Sequence, residues 1–407
     1  MIDIKEALEL IASNVNPLPV MECPLSKSVG RVLSADVCAD VDSPPHTKSI
    51  MDGFAVRAED IAAQTPLRII ETIVAGEVPA KAIEAGDCSR IMTGAPLPEG
   101  ADSVVMVERA EVVEQDGGEF ASFDLKELSK GQHAMQKAAS FATGETIFKA
   151  GHVVRPWDVG LLAEVGAASV SVRQQPSASV LPTGDELVDA NQKPGPGKIR
   201  NSNGPMVVAM FEALGINATD QGIARDNEQS LRTKIESGLQ SDVLVLSGGV
   251  SAGVLDLVPK MLDDLGVEQV FHKVRVKPGK PIWFGVLKSD GESRYVFGLP
   301  GNPVSSLVGF QLFVRAALRR MLGLTVEPAN MVEAELAADH AVRGDRPTYW
   351  PGCWVRETGT TRRVQPLQWL GSSDLRTLGH AELLIQFPPG SQVHAAGQTV
   401  QVMPMNG

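Results

Sequence analysis

The sequence predicts a multidomain chain in which a parallel α/β domain is joined to β-rich segments on both sides. Three observations carry that reading. At 407 residues the chain exceeds what one hydrophobic core usually organises, so about two to four domains are expected. Between about Val170 and Gly323 apolar strand-like runs alternate with helix-like segments. On either side of that stretch, short β-branched runs alternate with Gly, Pro and Asp turns instead.

Taken in order, Asp3 with Glu6 forms a capping box, and Ile4, Ala7, Leu8 and Ile11 then share one helical face until Pro17 stops the run. From about Val20 to Lys137, runs such as LRIIETIVAG and SVVMVERAEVV between turns predict a mostly β domain. The central segment reads SASVLPTG, GPMVVAMFEALG, DVLVLSGG and LDLVPKMLDDLG, the pattern of a parallel sheet wrapped by helices. Within it, Asp226 with Gln229 resembles a second capping box before EQSLRTKIESGL. Pro303 suits the first turn of a helix that carries Val304, Leu307, Val308, Val314 and Leu318 toward the core. After Gly323, strand-like runs at Tyr349 to Val355, Arg363 to Pro366 and Gln398 to Met403 predict a small terminal β domain. No fixed-period repeat or low-complexity linker interrupts the chain.

Composition excludes several function classes. Hydrophobic residues at 43% and charged residues at 21% fit a globular protein rather than a disordered one. A net charge of −12 argues against a broad nucleic-acid or acidic-membrane surface, so any anionic ligand must be met by a local basic pocket. Cys23, Cys38, Cys88 and Cys353 lie far apart without zinc-ligand spacing and read as ordinary reduced thiols. The N-terminal MIDIKEALELI lacks a signal-peptide pattern, and no apolar run reaches the roughly 18 residues of a membrane span, so the expected location is the cytoplasm.

The strongest local signal is DVLVLSGGVSAGVLD, Asp242 to Asp256, in which an apolar strand runs into Ser247, Gly248 and Gly249. Ligands of open α/β sheets bind at such carboxyl ends, and glycines let backbone N–H groups approach a phosphate or pterin. PTGDEL, Pro182 to Leu187, follows another apolar strand and is expected at the same edge, as is Arg225 with Asp226. Singly these are ordinary turn and cap residues. Together they bring Asp185, Glu186, Asp226 and Asp256 toward one crevice, where converging carboxylates would suit Mg²⁺; the plain alternative is that they point apart into solvent.

FHKVRVKPGKPIWFG concentrates Lys273, Arg275, Lys277 and Lys280 in an acidic protein. Strand alternation would put the first three on one face, either solvated or, with its Pro-Gly-Lys-Pro turn, forming an oxyanion-binding loop. GLPGNPVSS places a further rigid turn at a predicted helix N-terminus, where partial positive charge favours anions. In the first half, SIMDGFAV and IMTGAPLPEGADSVV are notable stretches that simple hairpins would also explain.

In this order, MDGFA, TGAPLPEGAD, PTGDEL, SGGVSAGVLD, KPGKP and GLPGNPVSS closely resemble the molybdopterin molybdenumtransferases, and gephyrin's C-terminal half is similar. The resemblance covers nearly the whole chain. It implies a discontinuous linker domain of residues 1–19 with 139–171, a β-rich domain at 20–138, a molybdopterin-binding α/β domain at 172–324 and a barrel-like β domain at 325–407. It further implies an elongated homodimer whose site is completed by the partner subunit. The implied activity is the Mg²⁺-dependent reaction of adenylylated molybdopterin with molybdate, releasing AMP.

Carried over residue by residue, the family's functional acids match Asp52, Glu186, Asp226 and Asp256, the last three as metal ligands. Ser247, Gly248 and Gly249 would cradle the pterin nucleotide, with Thr93, Gly94, Thr183, Gly184, Asp185, Gly301 and Asn302 also binding it. Lys277 and Lys280 match the family lysines, Pro300 and Pro303 its rigid prolines, and Arg346 and Ser372 its polar molybdate residues. Implied partners are a molybdopterin adenylyltransferase and molybdoenzyme maturation proteins. One departure stands out: where the family has an arginine-rich stretch followed by Gly-Glu-Asp, this chain reads Met135, Gln136, Lys137, Ala138, Ala139, Ser140. That loss motivates a second reading, a molybdopterin carrier that inserts no metal. A gephyrin-like peptide scaffold is a third.

Overall fold

A computed structural model describes residues 1–115, 117–250, 257–289, 291–326, 331–355 and 362–405. The chain divides into two compact units, one formed by Met1–Met21, Gly30–Ser34 and Val172–Gly407, the other by Glu22–Val29 and Ala35–Ser171.

The first unit is built around a six-stranded sheet in the order Ala218–Asp220, Ala178–Pro182, Val243–Ser247, Glu292–Leu299, Trp283–Ser289, Glu268–His272. The first four strands run parallel, and the last two add antiparallel pairs. Ala178–Pro182 and Val243–Ser247 are buried along their whole length, as central strands covered on both faces must be. Alternation divides the core between those faces. Val243 and Val245 pack with Phe211, Phe310 and Phe313, whereas Leu244 and Leu246 pack with Leu231, Ile235 and Met261.

The helix Ile4–Asn14 is capped by Asp3, whose carboxylate accepts the Glu6 N–H at 2.8 Å. Its buried face of Ala7, Leu8 and Ile11 belongs to the α/β core, packed near Phe313 and Leu318. Met1–Met21 lies in the same compact unit as Val172–Gly407, because the helix's apolar stripe finds its partner surface there. Asn227, not Asp226, caps the helix Glu228–Gly238 by accepting the Ser230 N–H at 2.9 Å. Pro303 begins its helix as predicted, and the run continues through a π-helical stretch, Phe310–Val314, to Met321.

The C-terminal part of this unit is a closed barrel of five strands: Val332–Leu336, Arg363–Pro366, Thr348–Trp354, Leu383–Phe387 and Thr399–Pro404. Leu336, Val364, Leu383, Ile385, Phe387 and Val402 fill it. Leu384, Met403 and Tyr349 point the other way and join the α/β core, which fixes the barrel against that domain.

The second unit carries another six-stranded sheet, ordered Ser103–Met106, Gly53–Val56, Asp87–Ile91, Leu67–Ile73, Gly118–Phe123, Ala110–Gln115. Gly53–Val56 is antiparallel to both its neighbours and wholly buried, an interior strand rather than one arm of a local hairpin. A Cβ at Gly53 would collide with the Val105 carbonyl, so the close strand approach demands glycine. No helix among the described residues is long and apolar enough to cross a membrane.

Candidate active site

At the carboxyl edge of the parallel sheet, three strand ends open into one cavity of about 480 Å³. Thr183 and Gly184 come from the first strand, Gly248 and Gly249 from the second, and Pro300 to Asn302 from the third. Gly248 and Gly249 have φ of 97° and 64°, and a Cβ would stand 2.6 Å from the Thr183 carbonyl oxygen or 2.7 Å from Val258 Cγ2. Only glycine fits both demands, and the resulting bare backbone can lie against a ligand.

Beneath this floor a buried polar knot ties the loops together. Asn203 Nδ2 donates to Ser247 Oγ at 2.8 Å and to the Gly301 carbonyl at 2.7 Å, while Ser306 Oγ donates to the Pro300 carbonyl at 2.6 Å. Neither Asn203 nor Ser306 was singled out from the sequence. The signal was faint: an Asn at the start of an apolar helix reads as a cap, but Asn203 is the first residue of its helix and its side-chain amide donates to the two loops instead.

Glu186 and Asp226 both line the cavity and are solvent-exposed. Asp185 and Asp226 brace each other, each carboxylate accepting the other's backbone N–H at 3.2 Å. Freed from helix capping by Asn227, the Asp226 carboxylate turns to this loop instead. The Arg225 guanidinium donates to the carbonyls of Gly184, Asp185 and Leu187 at 2.9 to 3.3 Å, holding the Thr-Gly-Asp-Glu turn in shape. Asp256 lies outside the described residues. Among the described residues no group of three acidic, His or Cys side chains is arranged to hold a metal.

A second cavity, about 520 Å³, adjoins the first and shares Pro281, Pro300 and Asn302 with it. Lys277, Lys280 and Arg346 supply its positive charge, and Ser372, Trp350 and Trp369 also line it. The expected strand does not extend through Lys273 to Lys277: the regular strand ends at His272, and Lys273 sits at φ 72°. What persists is the alternation, with Val274 and Val276 buried and Arg275 exposed. The chain turns there because the barrel takes over the pairing: Lys277 N–H donates to the Pro347 carbonyl at 2.9 Å, and Tyr349 N–H donates to the Lys277 carbonyl at 2.8 Å. Lys277 Nζ donates to the Arg343 carbonyl at 2.8 Å and Arg346 Nη1 to that of Val276 at 3.0 Å. Asn302 Nδ2 reaches Ser372 Oγ at 2.9 Å, linking the α/β loop to the barrel's loop. Lys280 is exposed.

In the other compact unit, the Asp52 carboxylate accepts both the backbone N–H and the hydroxyl of Thr93 at 2.7 Å, next to Gly94. Those bonds hold its carboxyl below the usual aspartate range. Any stability this adds is present above that range and is lost as the pH falls through the lowered pKa.

Residues 2–166 match the family description "MoeA N-terminal region (domain I and II)", and residues 179–320 match "Probable molybdopterin binding domain". The molybdopterin molybdenumtransferase of Staphylococcus aureus strain MRSA252 is 34% identical over 412 residues, covering 99% of this chain and 95% of the relative. The chain belongs to the molybdopterin molybdenumtransferase family. Its counterpart from Staphylococcus epidermidis is 30% identical over the same shares of both chains. The crystal structure of the molybdopterin biosynthesis moeA protein from Pyrococcus horikoshii aligns with a TM-score of 0.82 at 31% identity, covering 100% of both chains.

Set against the molybdopterin molybdenumtransferase pattern, Thr183, Gly184, Glu186, Asp226, Gly248, Gly249, Pro300, Gly301 and Asn302 line the first cavity. Ser247 lies buried at its base, and Pro303 opens the helix behind it. Lys277, Lys280, Arg346 and Ser372 meet in the second. Where the sequence reads Ala138, Ala139, Ser140, Ala138 takes φ 59°, a backbone conformation that favours glycine, and the Ser140 N–H donates to the Ser43 carbonyl at 2.8 Å.

Proposed function

We propose that this chain is the enzyme that inserts molybdate into adenylylated molybdopterin with release of AMP. The observation carrying the reading is the common wall of Pro281, Pro300 and Asn302 between a carboxylate-lined cavity and a cation-lined one. The reaction must gather a phosphoanhydride, a dithiolene and a doubly charged oxyanion, and two adjoining pockets of opposite charge suit that task. Lys277, Lys280 and Arg346 would hold molybdate by charge-assisted hydrogen bonds, with Ser372 as a further donor. The Gly248 and Gly249 backbone would lie against the pterin phosphate.

Two exposed carboxylates on a cavity with room for a substrate phosphate fit Mg²⁺, which is usually held by one or two carboxylates together with substrate phosphates. Glu186 and Asp226, with Asp256, would hold the ion, which when bound neutralises charge on the phosphates. No protein nucleophile is required, so the residues act by positioning and electrostatics.

In this reading the protein works as a homodimer, receives substrate from a molybdopterin adenylyltransferase in the cytoplasm and passes product to molybdoenzyme maturation proteins. Asp52 and Thr93 would enter the site from the partner copy. The Ala138 to Ser140 departure favours one alternative, a carrier that binds the adenylate without inserting metal.

AMP release from adenylylated molybdopterin with Mg²⁺, measured with and without molybdate, decides between them. Molybdate-dependent release is expected; tight binding with no release would replace the insertase by the carrier.

A further inference from the structure

The second cavity is larger than its charges require. At about 520 Å³ it falls within the ~300–1,000 Å³ range of pockets for ligands of nucleotide size, and a tetrahedral oxyanion alone leaves most of it unfilled. The same cavity is lined by two of the chain's five tryptophans, Trp350 and Trp369, with ring centroids 4.9 Å apart and planes at 82°. Trp350 is pinned: its indole N–H donates to the Leu367 carbonyl at 2.8 Å, and His340 packs edge-on at 4.5 Å. Both rings are only partly buried, so surface remains open to the cavity. Aromatic rings beside the oxyanion-binding cations, in a cavity that adjoins the phosphate-binding glycines, match a phosphorylated molecule that carries a planar ring, and the pinned Trp350 lowers the ordering penalty.

We propose that Trp350 and Trp369 are the specificity-determining wall that stacks on the heteroaromatic ring of the phosphorylated substrate. The inference rests on the site reading above and adds to it which chemistry selects the substrate. The chemistry is shared by an adenine and a pterin ring, and the test separates them.

Calorimetric titration of the full-length protein with AMP, with a pterin monophosphate and with ribose 5-phosphate reads the ring's contribution directly. At least one ring-bearing phosphate should bind roughly 10- to 100-fold more tightly than ribose 5-phosphate. Trp369→Leu and Trp350→Leu should remove that advantage while leaving ribose 5-phosphate affinity unchanged, and Trp369→Phe should restore most of it. Preference for AMP assigns the wall to adenine; preference for the pterin phosphate assigns it to the pterin. Equal affinity for all three ligands, or a ring preference untouched by both leucine variants, overturns the proposal. Ring selectivity found in a protein that releases no AMP would leave this inference standing and sink the insertase.

Discussion

The two cavities lie side by side, yet they are made in different ways. The first is assembled by one domain from the ends of parallel strands, and its wall is backbone: glycines at positive φ, a buried Asn203 knot and carboxylates at the rim. The second is made by side chains at the seam between the α/β domain and the barrel, with Lys277 and Lys280 from one and Arg346, Trp350 and Trp369 from the other. Sheet topology alone places the first kind of site, whereas the second exists only because two domains dock.

If that contrast is functional, charge removal on the two sides must have different signatures. Lys277→Ala should lower molybdate-dependent AMP release by about 10²- to 10³-fold with little change in Mg²⁺ requirement. Asp226→Asn should instead raise the Mg²⁺ concentration for half-maximal rate by at least ~10-fold. Identical responses to both titrants in steady-state assays would merge the cavities into one undivided site.

The backbone-built cavity should also depend on its hidden knot. Asn203→Ala leaves the Ser247 hydroxyl and the Gly301 carbonyl without their donor, which should reduce stability by about 1–3 kcal/mol. Activity should fall roughly 10- to 100-fold, since loop displacements of that kind spoil alignment. Urea unfolding and kcat measured together check this, and an unchanged kcat would show that the two loops hold their spacing without it. Gly249→Ala should lose about 1–3 kcal/mol, because the new Cβ meets Val258 and Thr183 at a left-handed φ.

The smallest effect is expected away from both cavities. Ala138→Gly relieves an alanine held at φ 59° and should raise stability by about 1 kcal/mol, read as a higher thermal midpoint. A lower midpoint would mean that the alanine methyl packs usefully there.

The α/β domain was legible because period and punctuation agree: buried strands end in glycine, and Asp3 and Pro303 mark helix starts where the structure has them. The strands at Arg363–Pro366 and Thr348–Trp354 also fall within about a residue of their pattern. Local rules misread Asp226, because Asn227 next to it is an equally good cap and tertiary bonding to Asp185 decided between them. They could not extend to Trp350 or Trp369, whose role is set by which domain faces them. The same limit applies to Lys277, whose direction comes from pairing with Thr348 and Tyr349 far along the chain.

That pairing has an evolutionary consequence. The Lys277 peptide is a splice point held at both its N–H and its carbonyl by the barrel, so lengthening or shortening the 273–281 segment would shift the walls of both cavities together. Specificity can therefore drift by exchange of side chains on the barrel face, while insertions and deletions in this loop are closed to it.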